Sequence, residues 1–147
     1  MTINSKHLEF EGTDIKLTWG TPIEQLHSDF GTGKQEKGDR TIYEWGEHTI
    51  LNGLTLNLTS MFWNFQGKPN ERIFRKLDFW AVGDKPAIDW FDLISGHLRT
   101  NFGEPTQKNE ENLPDKIWTW DIDCLTLTLN FFEQHAYKLC FSVGISE

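Results

Sequence analysis

Two closely similar strand-like segments constrain the fold of this chain more than any other feature. LTLNLTSMF occupies residues 54–62 and LTLTLNFFE occupies residues 125–133. In both segments leucine alternates with threonine or asparagine, which is the period-two pattern of a strand with one apolar and one polar face. Because such a strand must bury its apolar face against another element, two copies predict two related halves that share a core.

Other short motifs correspond between the two halves in the same order. Phe30-Gly31 matches Phe102-Gly103, Ile42-x-x-Trp45 matches Ile117-x-x-Trp120, and Lys76-Leu77-x-Phe79 matches Lys138-Leu139-x-Phe141. An ordered set of matches favours duplication over chance. We therefore expect a single domain over residues 1–147, made of two pseudo-repeats at about 15–83 and 84–147.

Each repeat is expected to begin with a helix that ends at a glycine. Thr21 is the expected N-cap of the first helix, with Pro22 next and Glu24 completing a capping box, and Gly31 ends it. In the second repeat, the candidate cap is Asp84 and the terminating glycine is Gly103. The polar stretches 31–40 and 104–115 are expected to be loops.

Three antiparallel strands are expected to follow each helix, and an opening hairpin around Gly12-Thr13-Asp14 is expected to precede the first. The predicted fold class is therefore α+β, with tandem α-β-β-β repeats and an antiparallel sheet that has two helices packed on one face.

Charge and composition narrow the choice of partner. The formal net charge is −8, from 14 basic and 22 acidic side chains. This balance disfavours nucleic acid, whose binding requires a basic surface, and it suits a basic partner. The alternative is that the charge only maintains solubility. The first twelve residues lack an apolar signal region and no apolar run approaches the ~18 residues of a membrane span, so we expect a cytoplasmic protein that does not enter a membrane.

No motif for catalysis or for a cofactor occurs in the sequence. The five histidines and two cysteines show no metal-binding spacing, and stretch 31–34, GTGK, lacks the length and context of a phosphate-binding loop. We therefore expect no metal, no cofactor and no enzymatic activity. Asp121 and Asp123 are expected to project from one side of a strand about 7 Å apart. They could serve acid–base catalysis, contact a basic partner, or lie on a solvated face.

The polar side of the predicted sheet is the best candidate for a binding surface. Thr55, Asn57 and Thr59 in the first half correspond to Thr126, Thr128 and Asn130 in the second. If Trp80 shares a side with Lys76 and Asp78, it places a large aromatic on this open face. The alternative is that tryptophans such as Trp63 and Trp80 only complete the edges of the core. The candidate partner-binding residues are Trp80, Asp78, Asp121, Asp123 and Trp63.

The motifs of the first half also resemble a known type of repeat. The run Leu17-Thr18-Trp19-Gly20-Thr21-Pro22, followed by Leu26, Phe30-Gly31 and Tyr43-x-Trp45, is similar to the repeat of outer-membrane assembly lipoproteins and β-lactamase inhibitory proteins. The resemblance covers roughly residues 15–82 and 88–145. It implies a helix that ends in a glycine turn, a variable loop, and antiparallel strands whose open face contacts another protein.

In size and charge the chain is similar to bacterial toxin immunity proteins. The function expected from the sequence is therefore that of a protein-binding inhibitor, an immunity-type protein that neutralises a cognate basic, nuclease-like bacterial toxin. The alternative is a small-ligand-binding or enzymatic α+β domain with a pocket between helices and sheet.

Overall fold

The structure is a computed structural model that describes residues 6–68, 71–81, 85–134 and 136–145. The chain divides into two compact units, Met1–Asp78 and Phe79–Glu147. Each unit contains one α-helix followed in sequence by strands. The pseudo-repeats at 15–83 and 84–147 stay a prediction.

The described residues form ten strands, two α-helices and one short 3-10 helix. The strands are β1 His7–Glu9, β2 Lys16–Thr18, β3 Gly33–Lys37, β4 Arg40–Ile50, β5 Leu54–Trp63, β6 Lys76–Trp80, β7 Gln107–Asn109, β8 Lys116–Ile122, β9 Leu125–Gln134 and β10 Ala136–Ile145. The α-helices are α1 Ile23–Phe30 and α2 Ala87–Phe102, and the 3-10 helix spans Asn64–Gln66.

The protein is mostly β, so the expected α+β class is wrong. About half of the described residues lie in strands, and the helices contain only 8 and 16 residues. The larger antiparallel sheet has the strand order β3-β4-β5-β6-β10-β9-β8-β7, and β1 and β2 form a separate pair. The prediction of three strands per repeat, with two helices packed on one face, gives too few strands. Two strands of the sheet lie in segments that the sequence indicates as loops.

Those two strands are β3 and β7, which lie in the polar stretches 31–40 and 104–115. All five residues of β3 and all three of β7 are exposed. Both strands pair antiparallel with the next strand, β3 with β4 and β7 with β8. They have no apolar alternation because neither face is buried, and the sequence pattern therefore did not reveal them.

The first unit opens with the predicted hairpin. Leu8 and Leu17 pair across β1 and β2, and both side chains are buried. The turn is held by the Thr13 hydroxyl, which donates to the Phe10 carbonyl oxygen at 2.7 Å. The hairpin prediction is thus confirmed.

The end of helix α1 agrees with the prediction from the sequence, whereas its beginning does not. Gly31 adopts the left-handed conformation, with φ of 66°, and ends the helix as predicted. The capping box at Thr21 is wrong: the N-cap is Pro22, and the Thr21 hydroxyl instead donates to the Thr18 carbonyl oxygen at 2.8 Å. The expected second cap, Asp84, lies outside the described residues.

The core of the first unit lies on one face of β4 and β5. Leu54, Leu56 and Leu58 are buried at alternate positions, as their pattern predicts. Tyr43 and Trp45 of β4 are buried as well. A β-bulge interrupts the pairing between Glu44 and Gly46, where Gly46 has a φ of 85°.

The core of the second unit joins α2 to the neighbouring strands. Helix α2 contacts β9 and β10. Its Phe91 ring lies edge-on to Trp118 of β8, with ring centroids 4.9 Å apart. Alternate residues of the strands complete this core, namely Leu125, Leu127, Leu129, Phe131, Leu139, Phe141 and Val143. The intervening residues therefore face the opposite side of the sheet.

Candidate functional site

The side of β8, β9 and β10 that faces away from this core forms the candidate site, which we call the open face of the second unit. Antiparallel pairing aligns its residues in rows: Cys140, Asn130 and Ile117; Ser142, Thr128 and Thr119; and Gly144, Thr126 and Asp121. All nine residues are half-buried or exposed. The threonine and asparagine series predicted from the sequence thus lies on a solvent-facing sheet surface.

Trp80 is the largest aromatic side chain at this face. It is 41% exposed, and its ring meets the edge of Phe132 with centroids 6.3 Å apart. Phe132 of β9 is half-buried and pairs in register with Lys138 of β10. The two aromatic rings therefore form a partly exposed apolar patch next to the rows of residues on β8, β9 and β10. Phe132 was not singled out from the sequence, where only its position after Asn130 in the alternating series could have indicated it.

Asp121 and Asp123 do not form the expected carboxylate pair on a strand. β8 ends at Ile122, and Asp123 lies in the following turn with a φ of 52°. The Asp121 carboxylate accepts a hydrogen bond from the Thr126 hydroxyl at 3.2 Å. Because the turn changes the direction of the chain, the period-two argument does not apply to Asp123. Both aspartates are exposed.

Asp78 differs from its expected environment. It is only 2% exposed, although it pairs with half-buried Thr59 and was expected on the open side. One carboxylate oxygen lies 3.4 Å from the Lys76 ammonium, and the other has no hydrogen-bond partner among the described residues. Burial raises the pKa of this carboxyl, and the opposing effects of Lys76 and the Met61 backbone do not cancel it.

Trp63 lies on the corresponding polar side of the first unit. Its ring stacks on Phe65 at 6.2 Å, and the Arg40 guanidinium lies 5.8 Å from the centre of the Trp63 ring. Phe65 is 85% exposed. This aromatic pair is a second exposed apolar feature, and the expectation that Trp63 contacts a partner stays a prediction.

The main ionisable cluster of the first unit surrounds Glu24. The Glu24 carboxylate accepts hydrogen bonds from the buried Tyr43 hydroxyl and from the Lys34 ammonium, the latter at 2.8 Å. Burial and the hydrogen bond to Glu24 raise the pKa of Tyr43 far above its ordinary value. Burial raises the pKa of Glu24 in turn, but the hydrogen bonds from Lys34 and Tyr43 outweigh it, so this pKa is lowered. A tyrosine kept neutral in this way holds α1 to the sheet and is unsuited to act as a base.

A polar cleft of about 530 Å³ in the first unit contains a buried arginine that the sequence analysis missed. Arg72 is 5% exposed and donates to Thr41 and to the Gly67 carbonyl oxygen at 3.0 and 3.1 Å. No carboxylate forms an ion pair with it among the described residues. Neither Asp121 nor Asp123 lines this cleft.

Within the described part of the chain, no group of three or more histidine, cysteine, aspartate or glutamate side chains could hold a metal ion. The same residues contain no helix that is long and apolar enough to cross a membrane. No family model matches the chain, and neither the curated proteins nor the solved structures include a match.

Proposed function

We propose that this chain is a protein-binding inhibitor of the immunity type, which neutralises a basic, nuclease-like bacterial toxin in the cytoplasm. The observation that carries the proposal is the exposed Trp80 ring beside Phe132 and the polar rows of the open face. Tryptophan is one of the residue types enriched among the side chains that dominate binding energy at protein interfaces.

The shape of this surface supports a macromolecular partner. The rows on three strands present hydroxyl and amide groups of Ser142, Thr128 and Asn130 among others, beside the apolar patch of Trp80 and Phe132. Protein interfaces combine an aromatic centre with a polar rim of this kind. A small ligand, in contrast, needs a concave site that surrounds most of its surface.

The charge of the chain supports a basic partner. The net charge of −8 would attract a cationic protein and speed its association at low ionic strength. Asp121 and Asp123 are exposed at one end of the open face, where they would pair with lysine or arginine side chains. Such pairs at the rim contribute more to association rate than to affinity.

Growth protection tests this function directly. A basic toxin encoded next to the gene for this chain is expressed in cells with or without the chain. We expect the chain to restore growth and to purify together with the toxin. Unchanged growth inhibition, with both proteins present at comparable levels, would contradict the proposal.

The Arg72 cleft favours a second candidate function, the binding of a small anionic ligand. Its guanidinium contacts neutral acceptors. The cleft is also lined by the basic Lys68 and Arg40 and by the acidic Glu36 and Glu71, so basic side chains outnumber acidic ones by one. Addition of small carboxylates and phosphates should then raise the unfolding temperature, and the Arg72→Lys variant should lose this effect. The alternative of an enzyme has no comparable support.

A further inference from the structure

A small pocket lies where the β4 bulge meets the residues that follow α1, and we call it the bulge pocket. It has a volume of about 230 Å³ and is lined by Phe30, Gly33, Glu44, Trp45, Gly46 and His48 among others. This volume is below the roughly 300 Å³ at which sites for drug-sized ligands begin. The bulge pocket therefore matches one long side chain better than a free cofactor.

Aromatic rings form much of its wall. The Phe30 and Trp45 rings are 6.3 Å apart at an angle of 57°, and Phe30 is 40% exposed. Phe10 stacks on His48 at 4.0 Å and lies edge-on to Trp45 at 5.9 Å. Phe10 is fully buried and Trp45 is only 8% exposed, so Phe30 offers the most accessible π face for a cation.

The polar groups of the pocket are mostly acceptors. Among the described residues that line it, Glu44 is the one acidic side chain, and there is no lysine or arginine. The indole N–H of Trp45 already donates to the Ser60 hydroxyl at 2.9 Å. Nε2 of His48 lies 3.0 Å from the Trp45 carbonyl oxygen, which can only accept, so Nε2 carries the hydrogen and Nδ1 of the neutral ring is an acceptor. These groups favour a ligand that donates hydrogen bonds and carries positive charge.

Trp120 of the second unit makes a different hydrogen bond from that of Trp45. There the indole N–H of Trp120 donates to the carbonyl oxygen of Gly103, the residue that ends α2, at 3.0 Å. In the first unit Trp45 donates to Ser60 instead, away from Gly31 at the end of α1. A Cβ added at Gly31 or Gly46 would meet no atom within 4 Å, and the same holds at Gly103 in the second unit.

We propose that the bulge pocket binds the cationic end of a lysine or arginine side chain presented by the protein partner. The inference rests on the proposed function, because it assumes a basic protein partner. The aromatic rings contact the cation and its aliphatic stem, and the Glu44 carboxylate pairs with the charge.

Blocked amino acids test the pocket without any protein partner. N-acetyl-lysine methylamide is titrated into the isotope-labelled chain, and the amide signals of Gly31, Gly33 and Gly46 are followed by NMR. We expect saturable shifts at these glycines. N-acetyl-norleucine methylamide has a similar stem without the charge, and it should bind at least about threefold more weakly.

Two variants test which side chains of the pocket bind the lysine compound. Glu44→Gln should weaken binding of the lysine compound by about threefold or more, since it removes the paired charge. Glu47→Gln is the matched control, because Glu47 is an exposed residue of the same strand that does not line the pocket. Phe30→Ala is a second variant, and it should weaken binding because it removes the exposed ring.

Three results would overturn the inference: no saturable shift, equal binding of the lysine and norleucine compounds, or equal binding by Glu44→Gln and wild type. Because this assay contains no toxin, its outcome is separate from that of growth protection. Failure of growth protection with normal lysine binding would contradict the proposed function and leave the pocket as a cation site. Growth protection with no lysine binding would overturn the inference about the bulge pocket and leave the proposed function standing.

Discussion

Asp78 is a buried carboxylate with one oxygen that lacks a hydrogen-bond partner among the described residues. Burial raises its folded pKa above the unfolded value of 3.8. A raised carboxyl pKa means that the folded state binds the proton more tightly, so the contribution of Asp78 to stability is most favourable below about pH 4. It becomes less favourable as pH rises through the folded pKa.

Asp78→Asn should therefore stabilise the protein at neutral pH, by about 1 kcal/mol, because it removes the cost of a buried charge. The gain should shrink toward zero below about pH 3, where the wild-type carboxyl is protonated in both states because even its unfolded value is 3.8. Urea unfolding of both proteins over this pH range measures the difference. A variant that is less stable than wild type at neutral pH would show that the ion pair with Lys76 outweighs the burial.

Tyr43 provides a second prediction at the level of one residue. Its buried hydroxyl donates to Glu24, which also accepts from Lys34. Tyr43→Phe should reduce the free energy of unfolding by about 1 kcal/mol, since it leaves the aromatic packing and removes the hydrogen bond. Tyr137→Phe is the matched control because Tyr137 is 48% exposed. Equal stability of the two variants would mean that the Glu24 cluster does not stabilise the fold.

The residues of the candidate site were predictable to different degrees. Alternation along the strands correctly indicated that Thr126, Thr128 and Asn130 share a face. It failed at Asp123 because β8 ends one residue earlier, and at Asp78 because burial at a given position depends on neighbouring strands. Arg72 gave no pattern at all, since its hydrogen bonds go to Thr41, which is distant in sequence, and to the backbone of Gly67 in a loop.

The ends of the helices allow a test at the level of secondary structure. Gly31 ends α1 with a φ of 66°, which disfavours any residue with a Cβ. Gly96 lies inside α2, and a Cβ there would meet no atom within 4 Å. Gly31→Ala should therefore reduce the free energy of unfolding by about 1 kcal/mol, whereas Gly96→Ala should increase it by about 0.5–1 kcal/mol.

Thermal and urea unfolding of the two glycine variants would measure these opposite effects. They form a matched pair, since each adds one methyl group to an open position of a helix or its end. If both variants were destabilised alike, the difference between the helix interior and its left-handed end would not govern their stability.

Strands with one buried face were predictable, and strands with none were not. β5 and β9 follow the alternation of leucine with polar residues along most of their length. β3 and β7 contain only glycine and polar residues, and they form because a neighbouring strand offers hydrogen bonds. This tertiary pairing overrides the local preference of glycine, lysine and asparagine for loops.

At the scale of the whole molecule, the sequence predicted an antiparallel sheet but assigned it too few strands. The missed strands, β3 and β7, pair with the outer edges of β4 and β8. Their presence raises the strand content and so changes the fold class, whereas the buried core residues stay the same. The polar side of the sheet followed from the same alternation as the core. The identity of a partner did not, because it depends on side chains that the core does not constrain.

Our central claim is that Trp80 on the open face of the second unit anchors a protein partner. Calorimetric titration of the purified toxin with Trp80→Ala, Tyr137→Ala and wild type tests it most directly, since both tyrosine and tryptophan are more than 40% exposed. We predict that Trp80→Ala weakens binding by at least about 30-fold and that Tyr137→Ala changes it by less than about threefold. Binding of Trp80→Ala with wild-type affinity would contradict the claim.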